Sequence, residues 1–476
     1  MYDVPEFASN YLSQGCAQTV NNYYTNIKGD TDLLHVLSLQ AKNRGLVYQT
    51  FDNIVVCAGA INGFHALCQA LCDTGDVILA LAPTYILLAH SVEAFGAHMH
   101  LVPTERNGDG FAVSPSVLES EIRNLQAQQY RIKAVLVINP TNIDGQYWTH
   151  SDIATIAPII RKHNLLIIED IVYDQLQYDG EEPPAYFGTH PATKQRCITL
   201  DSVSKRYGAT QWRIGWVYGP KAIIDHVRES VMQSVWSPAA RLQKATAFMI
   251  AAGMKMDWHM TENAGRQTQD LIHSAQKHSR DHTAYFRDLL REYKLRRDLC
   301  ILIINGEGSY NALRQQKTDL TSSDDLRELY KDALAQHGIA FAGIPGVQTP
   351  VIPQATMFFL IEATHALITS MPDTTDNADL ILARIIYTET GVVMLPPTEL
   401  TLPEDEWFFR IEFGVELDVL LASLKRVETF LAHWLASSPE QRNAIMQDAL
   451  AGMNKKNIPE SSQAPDIASS WLCETA

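Results

Sequence analysis

Lys205 sits in the stretch Asp201-Ser202-Val203-Ser204-Lys205-Arg206-Tyr207, just past an apolar run from Cys197 to Leu200, and Arg213 follows eight residues after the lysine. These residue types share a chemistry. A lysine amine condenses with a carbonyl to a Schiff base. Hydroxyls and a guanidinium fork hold a phosphate. Together they suit an aldehyde that carries a phosphate. The stretch alone does not decide the matter, because a lysine among serines is most often solvated surface, and a motif waits on its structural context.

Other chemistry-bearing residues sit at comparable places. The apolar run Ile54 to Ala58 enters Gly59-Ala60-Ile61-Asn62-Gly63 and then a helix from Phe64 to Cys72. A strand, a small-residue turn and a helix start make an anion site, since free N–H groups and the helix dipole face the ligand. A plain tight connection reads equally well there. Val77 to Leu81 leads to Pro83 and Tyr85, an aromatic face that either stacks on a flat ligand or fills a core. Ile132 to Ile138 ends in Asn139-Pro140-Thr141-Asn142, and Leu165 to Ile168 ends in Glu169-Asp170-Ile171-Val172-Tyr173. Carboxylates at the end of a buried strand are costly unless paired. A helix N-cap is the ordinary alternative for Asp170, and a surface strand residue is the ordinary alternative for Arg410.

The elements that must position these residues follow from hydrophobic runs. His98 to Val102 is a further strand, and helices are expected over Leu33 to Ala41, Asp152 to His163 (capped by Ser151) and Ala239 to Ala252. Repeated strand–helix units argue for an α/β fold with a mostly parallel sheet flanked by helices. Ligands on such sheets collect at the carboxyl ends of the strands, and Gly59, Tyr85, Asn142, Asp170 and Lys205 all follow strand ends. Residues 257–294 have helical spacing and suit a long linking helix. Beyond it the reading is a smaller α+β domain: a strand within Asp298 to Asn305, a helix from Ser323 to Gly338, strands at Thr356 to Glu362 and Phe408 to Phe413, and a terminal helix from Val415 to Trp434. Residues 365–380 are expected to loop out. The expected organisation is an N-terminal arm over 1–30 (irregular over 1–22, or part of the small domain), a large domain over 31–290, a small domain over 291–436 and a polar tail over 437–476.

A chain of 476 residues suits two domains. Its net charge of -16 disfavours nucleic acid and anionic lipid as partners. The start, Met1-Tyr2-Asp3-Val4-Pro5-Glu6, lacks the basic and apolar parts of a secretory signal, and no run reaches the length of a membrane span. The seven cysteines are scattered. Cys68 and Cys72 have a spacing that a metal could use, but without a second ligand pair nearby they read as buried thiols, so no metal is expected. A reducing, cytoplasmic compartment is expected.

In this order the motifs Gly59-Ala60-Ile61-Asn62-Gly63, Ala82-Pro83-Thr84-Tyr85, Asn139-Pro140-Thr141-Asn142, Asp170-Ile171-Val172-Tyr173, Ser202-Val203-Ser204-Lys205, Arg213-Ile214-Gly215-Trp216 and Phe409-Arg410-Ile411-Glu412-Phe413 resemble the class I/II aminotransferases among the fold type I pyridoxal-phosphate enzymes, over roughly residues 12–434. The resemblance implies pyridoxal 5'-phosphate held by Lys205, with Asp170 paired to the ring nitrogen and Asn142 and Tyr173 donating to the ring oxygen. It implies Tyr85 stacked on the ring, and the phosphate held by Ala60, Ile61, Ser202, Ser204, Arg213 and Tyr24 of a neighbouring subunit in a homodimer. Arg410, with Asn142 and Gly15, would bind the substrate. The implied activity is amino-group transfer from an L-amino acid to a 2-oxo acid, with Lys205, Asp170 and Tyr173 as the reacting set. Elimination, decarboxylation or oxidation on the same apparatus stays open, as does a non-catalytic cofactor-binding regulator. Departures from the family pattern are Ile143 and Asp144 after Asn142, Gln211 before Trp212, and Met394-Leu395-Pro396-Pro397-Thr398. Arg206 and Arg241 are candidates for a second substrate cation by chain position only, and surface exposure is the ordinary account of each.

Overall fold

The computed structural model describes residues 3–17, 24–107, 110–180, 182–255, 258–262, 264–317, 319–372, 377–402 and 406–455. The chain divides into two compact units, Met1–Lys294 with Pro353–Met357, and Leu295–Ile352 with Phe358–Ala476.

The first unit is built on strands β1 (Ile54–Cys57), β2 (Asp76–Leu81), β3 (His98–Val102), β6 (Arg131–Ile138), β7 (Leu166–Asp170), β8 (Cys197–Ser202) and β9 (Gly215–Tyr218), with a hairpin β4 (Glu105–Asn107) and β5 (Gly110–Ala112) between β3 and β6. Among the described residues the seven sheet strands run in the order β1-β9-β8-β7-β6-β2-β3. All neighbours pair parallel except β9, which is antiparallel to both β1 and β8. Two reversals cancel, so β1 points the same way as β8. The carboxyl ends of β1, β2, β6, β7 and β8 therefore share one edge, and β9 starts at that edge with Gly215 opposite both Cys57 and Ser202.

Side-chain alternation splits the strands between two faces. Ile54 and Val56 join a core with the helices Glu6–Ala17, Thr31–Arg44, Ala240–Gly253 and Arg266–Gln276. Val55 and Cys57 join another with Ala60–Leu71 and Lys221–Val235. Val77, Val135 and Ile167 pack against Pro115–Ala127 and His150–Lys162. That last helix is capped by Thr149, whose hydroxyl accepts from the Asp152 amide while Asp152 answers back to the Thr149 amide, so the cap lies two residues before the expected Ser151.

The second unit carries an antiparallel sheet β10-β11-β12, from Val347–Gln348, Phe358–Ala363 and Phe408–Glu412. Helix Ala378–Thr390 packs against helices Leu417–Ala436 and Pro439–Lys455.

Several expectations change. Residues 6–17 form a helix, not an irregular arm: Phe7 and Ala8 are buried, and Tyr11 stacks on Phe248. The run Asp298 to Asn305 is helical, inside Ser279–Gln316, with non-helical backbone only at Gly306. Leu299 to Ile304 are all buried, and a short apolar run buried all round reads alike as strand or helix. Strand β9 was not anticipated. Residues 365–370 are helical instead of looping out. In the segment expected as a polar tail, the helix-like part read over Glu440 to Leu450 is a helix, Pro439–Lys455, and it buries Met446 and Ala449. Cys68 and Cys72 are buried free thiols. No described helix is long and apolar enough to cross a membrane.

Candidate active site

The shared sheet edge gathers most of the singled-out residues. After β1 the chain turns at Gly59, whose φ of 85° and ψ of 165° suit glycine alone, and enters the helix Ala60–Leu71. The first N–H groups of a helix have no acceptor within it, so the amides of Ala60 and Ile61 open at this edge. Arg213 lies across the same turn. Its guanidinium donates to Ala58 O at 3.2 Å and Thr210 O at 3.0 Å. A Cβ added to Gly59 would stand 2.4 Å from Arg213 Nη2. Arg213 itself adopts left-handed backbone (φ 52°, ψ 47°) after the tight turn Thr210–Trp212 that contains Gln211, a strained state of the kind that clusters at functional sites. Gly215 lets β9 approach, since a Cβ there would meet Ala60 N at 2.7 Å.

Ser202 and Ser204 are buried, and Ser202 Oγ accepts from the Ser204 amide at 3.2 Å. Lys205 follows, half-buried, in a turn where the Tyr207 amide reaches back to Val203 O at 3.3 Å. Amides, hydroxyls and a guanidinium thus line the end of β1, β8 and β9, the donor set for a phosphate.

Asp170 ends β7 opposite Leu200 of β8. Its Oδ1 accepts from the Val172 amide at 3.1 Å. Burial pushes its carboxyl up to about 7; the Val172 amide and the positive charge of Lys205 oppose that rise, and the nearby Asp201 adds to it. Tyr173, buried, lies on the turn closed by Asp174 N to Ile171 O at 2.9 Å. The neighbouring Glu169 is also pushed up to about 7 by burial, against the amides of Phe187 and Gly188 that donate to it at 2.8 and 3.0 Å; it holds the loop beneath the sheet.

Asn142 is buried in a turn after β6 that Thr141 N closes onto Gln146 O at 2.8 Å. The departure at Asp144 is accommodated there. Its buried carboxylate accepts from the Thr141 hydroxyl and, at 3.2 Å, from the Gln146 amide, and Gly110 of the hairpin packs against it. Peptide bonds Ala82–Pro83 and Asn139–Pro140 are cis. A cavity of about 50 Å³ opens here, lined in part by Pro83, Thr84, Thr141, Asn142 and Trp148, with room for ordered water. Tyr85, half-buried, packs against the core on the β1 side of the sheet.

Tyr24 is 82% exposed and packs at a tilt against Trp236, with ring centroids 5.1 Å apart. Gly15 lies in the helix Glu6–Ala17, but its surroundings fall outside the described residues. In the second unit Arg410 faces Leu360 across β11 and β12, bridges to Leu395 and lays its guanidinium 4.3 Å over the Phe358 ring. Stacking of this kind fixes the plane of the fork. Leu395 belongs to the departing Met394–Thr398 segment, which therefore still borders Arg410.

The surface reading of Arg206 is wrong. It is fully buried and ion-paired to Asp174 and Asp201, at 3.1 and 2.7 Å. Sequence reasoning also missed Arg44, which reaches the same two carboxylates from another element.

The sequence profile of the family "Aminotransferase class I and II" matches residues 7–278. The chain belongs to this family. Among the curated aminotransferases it resembles, the aspartate aminotransferase of Geobacillus stearothermophilus is 29% identical over 206 residues, 43% of this chain and 50% of that protein. Kynurenine–oxoglutarate transaminase 3 of Mus musculus is 27% identical over 311 residues, 64% of this chain and 62% of that protein. The matches thus span half to just under two thirds of these relatives. In fold, the chain is similar to an aromatic aminotransferase from Pyrococcus horikoshii (TM-score 0.65, 19% identity, covering 91% of this chain and 93% of that one). It is also similar to the N-succinyldiaminopimelate aminotransferase of Mycobacterium tuberculosis (TM-score 0.64, 21% identity, 90% of each). The aminotransferase cofactor, pyridoxal phosphate, suits the residues present. There is a phosphate-type donor set beside Gly59, a lysine at the end of β8, and a buried carboxyl at the end of β7 within reach of that lysine's charge.

Proposed function

We propose that the protein is a pyridoxal-phosphate-dependent transaminase that moves an amino group from an L-amino acid to a 2-oxo acid. The observation that carries this reading is the placement of Lys205, just past β8, near the buried Asp170 carboxyl that ends the neighbouring β7, beside the Gly59–Arg213 turn. The cofactor, when bound, supplies an electron sink for bond breaking at the amino-acid Cα. The chain's residues do the rest. Ala60 and Ile61 amides, Ser202, Ser204 and Arg213 bind the phosphate and set the register of the ring. Asp170 would serve the ring nitrogen as its counter-charge, since a carboxyl kept out of water interacts strongly with a cation beside it. Asn142 and Tyr173 would donate to the ring oxygen, and Tyr85 would cover the ring. Lys205 anchors the cofactor and then carries the proton at Cα. Arg410 binds the substrate α-carboxylate by two parallel hydrogen bonds; Gly15 and Asn142 are the other residues proposed for the substrate.

A homodimer belongs to the same proposal, with Tyr24 reaching the phosphate of the neighbouring subunit, as does a cytoplasmic location. The domain division proposed is a large cofactor-binding domain, a small domain carrying Arg410 and a C-terminal segment after residue 436. The test is a panel of amino acids added to the protein loaded with pyridoxal phosphate. Bleaching of the lysine-bound visible absorbance, reversed by a 2-oxo acid, is the expected result. Ammonia, carbon dioxide or peroxide released without an acceptor would replace transamination by another reaction on the same residues.

A further inference from the structure

Four charges, Arg206 and Asp201 buried and Arg44 and Asp174 partly buried, stand beside the two turns that carry Lys205 and Tyr173. Arg206 Nη1 and Nη2 reach Asp174 Oδ2 at 3.1 Å and Asp201 Oδ2 at 2.7 Å. Arg44 Nη1 reaches Asp201 Oδ2 at 2.8 Å, and its Nη2 bonds Asp174 Oδ2. Each carboxylate therefore shares one oxygen between two guanidinium forks, and the square is neutral overall. The other oxygens are also used: Tyr186 OH donates to Asp174 Oδ1 at 2.7 Å, and the Ser202 amide donates to Asp201 Oδ1 at 2.7 Å. The Arg206 guanidinium lies 5.7 Å from the centroids of both the Tyr207 and Trp216 rings.

Stability alone does not account for this arrangement, because well-packed apolar residues of similar volume are often as stable as buried ion pairs or more so. Its placement does. Asp174 follows Tyr173, Asp201 precedes Ser202, and Arg206 follows Lys205 in the chain. The square ties the turn after β7 to the turn after β8, and Arg44 fastens both to the end of the helix Thr31–Arg44.

We propose that Arg206 is a positioning residue for Lys205: through Asp174 and Asp201 its fork fixes the two turns to each other, so that the lysine amine changes partners from an immobile backbone. This rests on the reading of Lys205 given under Proposed function. A planar fork suits the task, since one rigid group reaches two carboxylates at once, which an ammonium does less well.

The experiment uses full-length protein loaded with pyridoxal phosphate, as wild type, Arg206→Lys and Arg206→Met, with folding checked by melting. Arg206→Lys keeps the charge and serves where Arg206→Met does not fold. One readout is backbone hydrogen exchange over 171–176 and 203–208. The other is the rate at which saturating amino donor bleaches the lysine-bound absorbance, set against the donor concentration that gives half that rate. Faster exchange in both turns is expected, with β2 and β6 unchanged. The saturating rate should fall by about 10- to 100-fold, the order expected from an ångström-scale misplacement, while the half-saturating donor concentration stays within about threefold. Folded variants with wild-type exchange and wild-type rate, lower in melting temperature only, would overturn the proposal and leave the square a structural feature. If wild type never shows a lysine-dependent absorbance, the reading of Lys205 fails, and the exchange data still decide whether Arg206 fixes the turns.

Discussion

Asp170 shows how one side chain trades stability against function. An unfolded aspartate titrates near about 3.9, whereas Asp170 in the fold is pushed up to about 7 by burial. Across that window the folded state keeps a proton that the unfolded state has released, so the apoprotein loses stability as pH rises towards 7. Asp170→Asn removes the titration. The variant apoprotein should melt above wild type at pH 7 to 8, with the difference shrinking to nothing near about pH 4. Loaded with cofactor it should lose its half-reaction with amino donors by about 10²-fold or more. A melting difference that does not depend on pH would show that the buried carboxyl carries no such cost. Gly59 gives a steric counterpart. Gly59→Ala places a methyl 2.4 Å from Arg213 Nη2 on backbone that suits glycine alone, and a loss of about 1–3 kcal/mol, divided between fold stability and cofactor binding, is expected. Melting with and without pyridoxal phosphate measures it.

At the scale of elements, the Gly59 turn and the strand ends were legible because their signals are local. Glycines, serines and a lysine sit within a few residues of a hydrophobic run, and β1, β2, β3, β6, β7 and β8 lie where those runs are. Four-residue β9 was hidden behind the Arg213 turn, and its antiparallel direction is a fact of pairing that no local pattern carries. The run around Cys300 to Ile304 has the composition of a strand and the burial of a core helix. Arg206 looked like a surface cation because only the fold brings its carboxylate partners, Asp174 from the turn after β7 and Asp201 from β8, onto its guanidinium. Asp144 was visible only as a departure from the family pattern, yet it fastens the Asn142 turn to the hairpin of β4 and β5. Burial raises its carboxyl above the usual aspartate range while those donors pull it down. Asp144→Ala strands these donors and should cost about 1–3 kcal/mol, with faster hydrogen exchange concentrated in residues 105–112. An unchanged melt and unchanged exchange would remove Asp144 from this role.

For the whole molecule, the exposed apolar residues around the cradle matter most. Tyr24, Ile61, Val235 and Trp236 are exposed, and Thr25 bonds Ser237 beside the Tyr24–Trp236 ring contact. Grouped apolar exposure of this kind marks an interaction surface, and a closed pair of identical subunits is its commonest use. Trp236→Glu should shift the sedimenting species to half its mass and weaken pyridoxal-phosphate binding together. A monomeric wild type with full cofactor affinity would contradict the shared-site reading.

The account stands on Lys205. Its most direct test is the visible absorption spectrum of the purified protein loaded with pyridoxal phosphate, compared with Lys205→Ala treated alike. Wild type should show a band that shifts when amino donor is added and returns with a 2-oxo acid, and Lys205→Ala should lack that band while still binding the cofactor. The same spectrum from both proteins would contradict the assignment of the lysine and the function built on it.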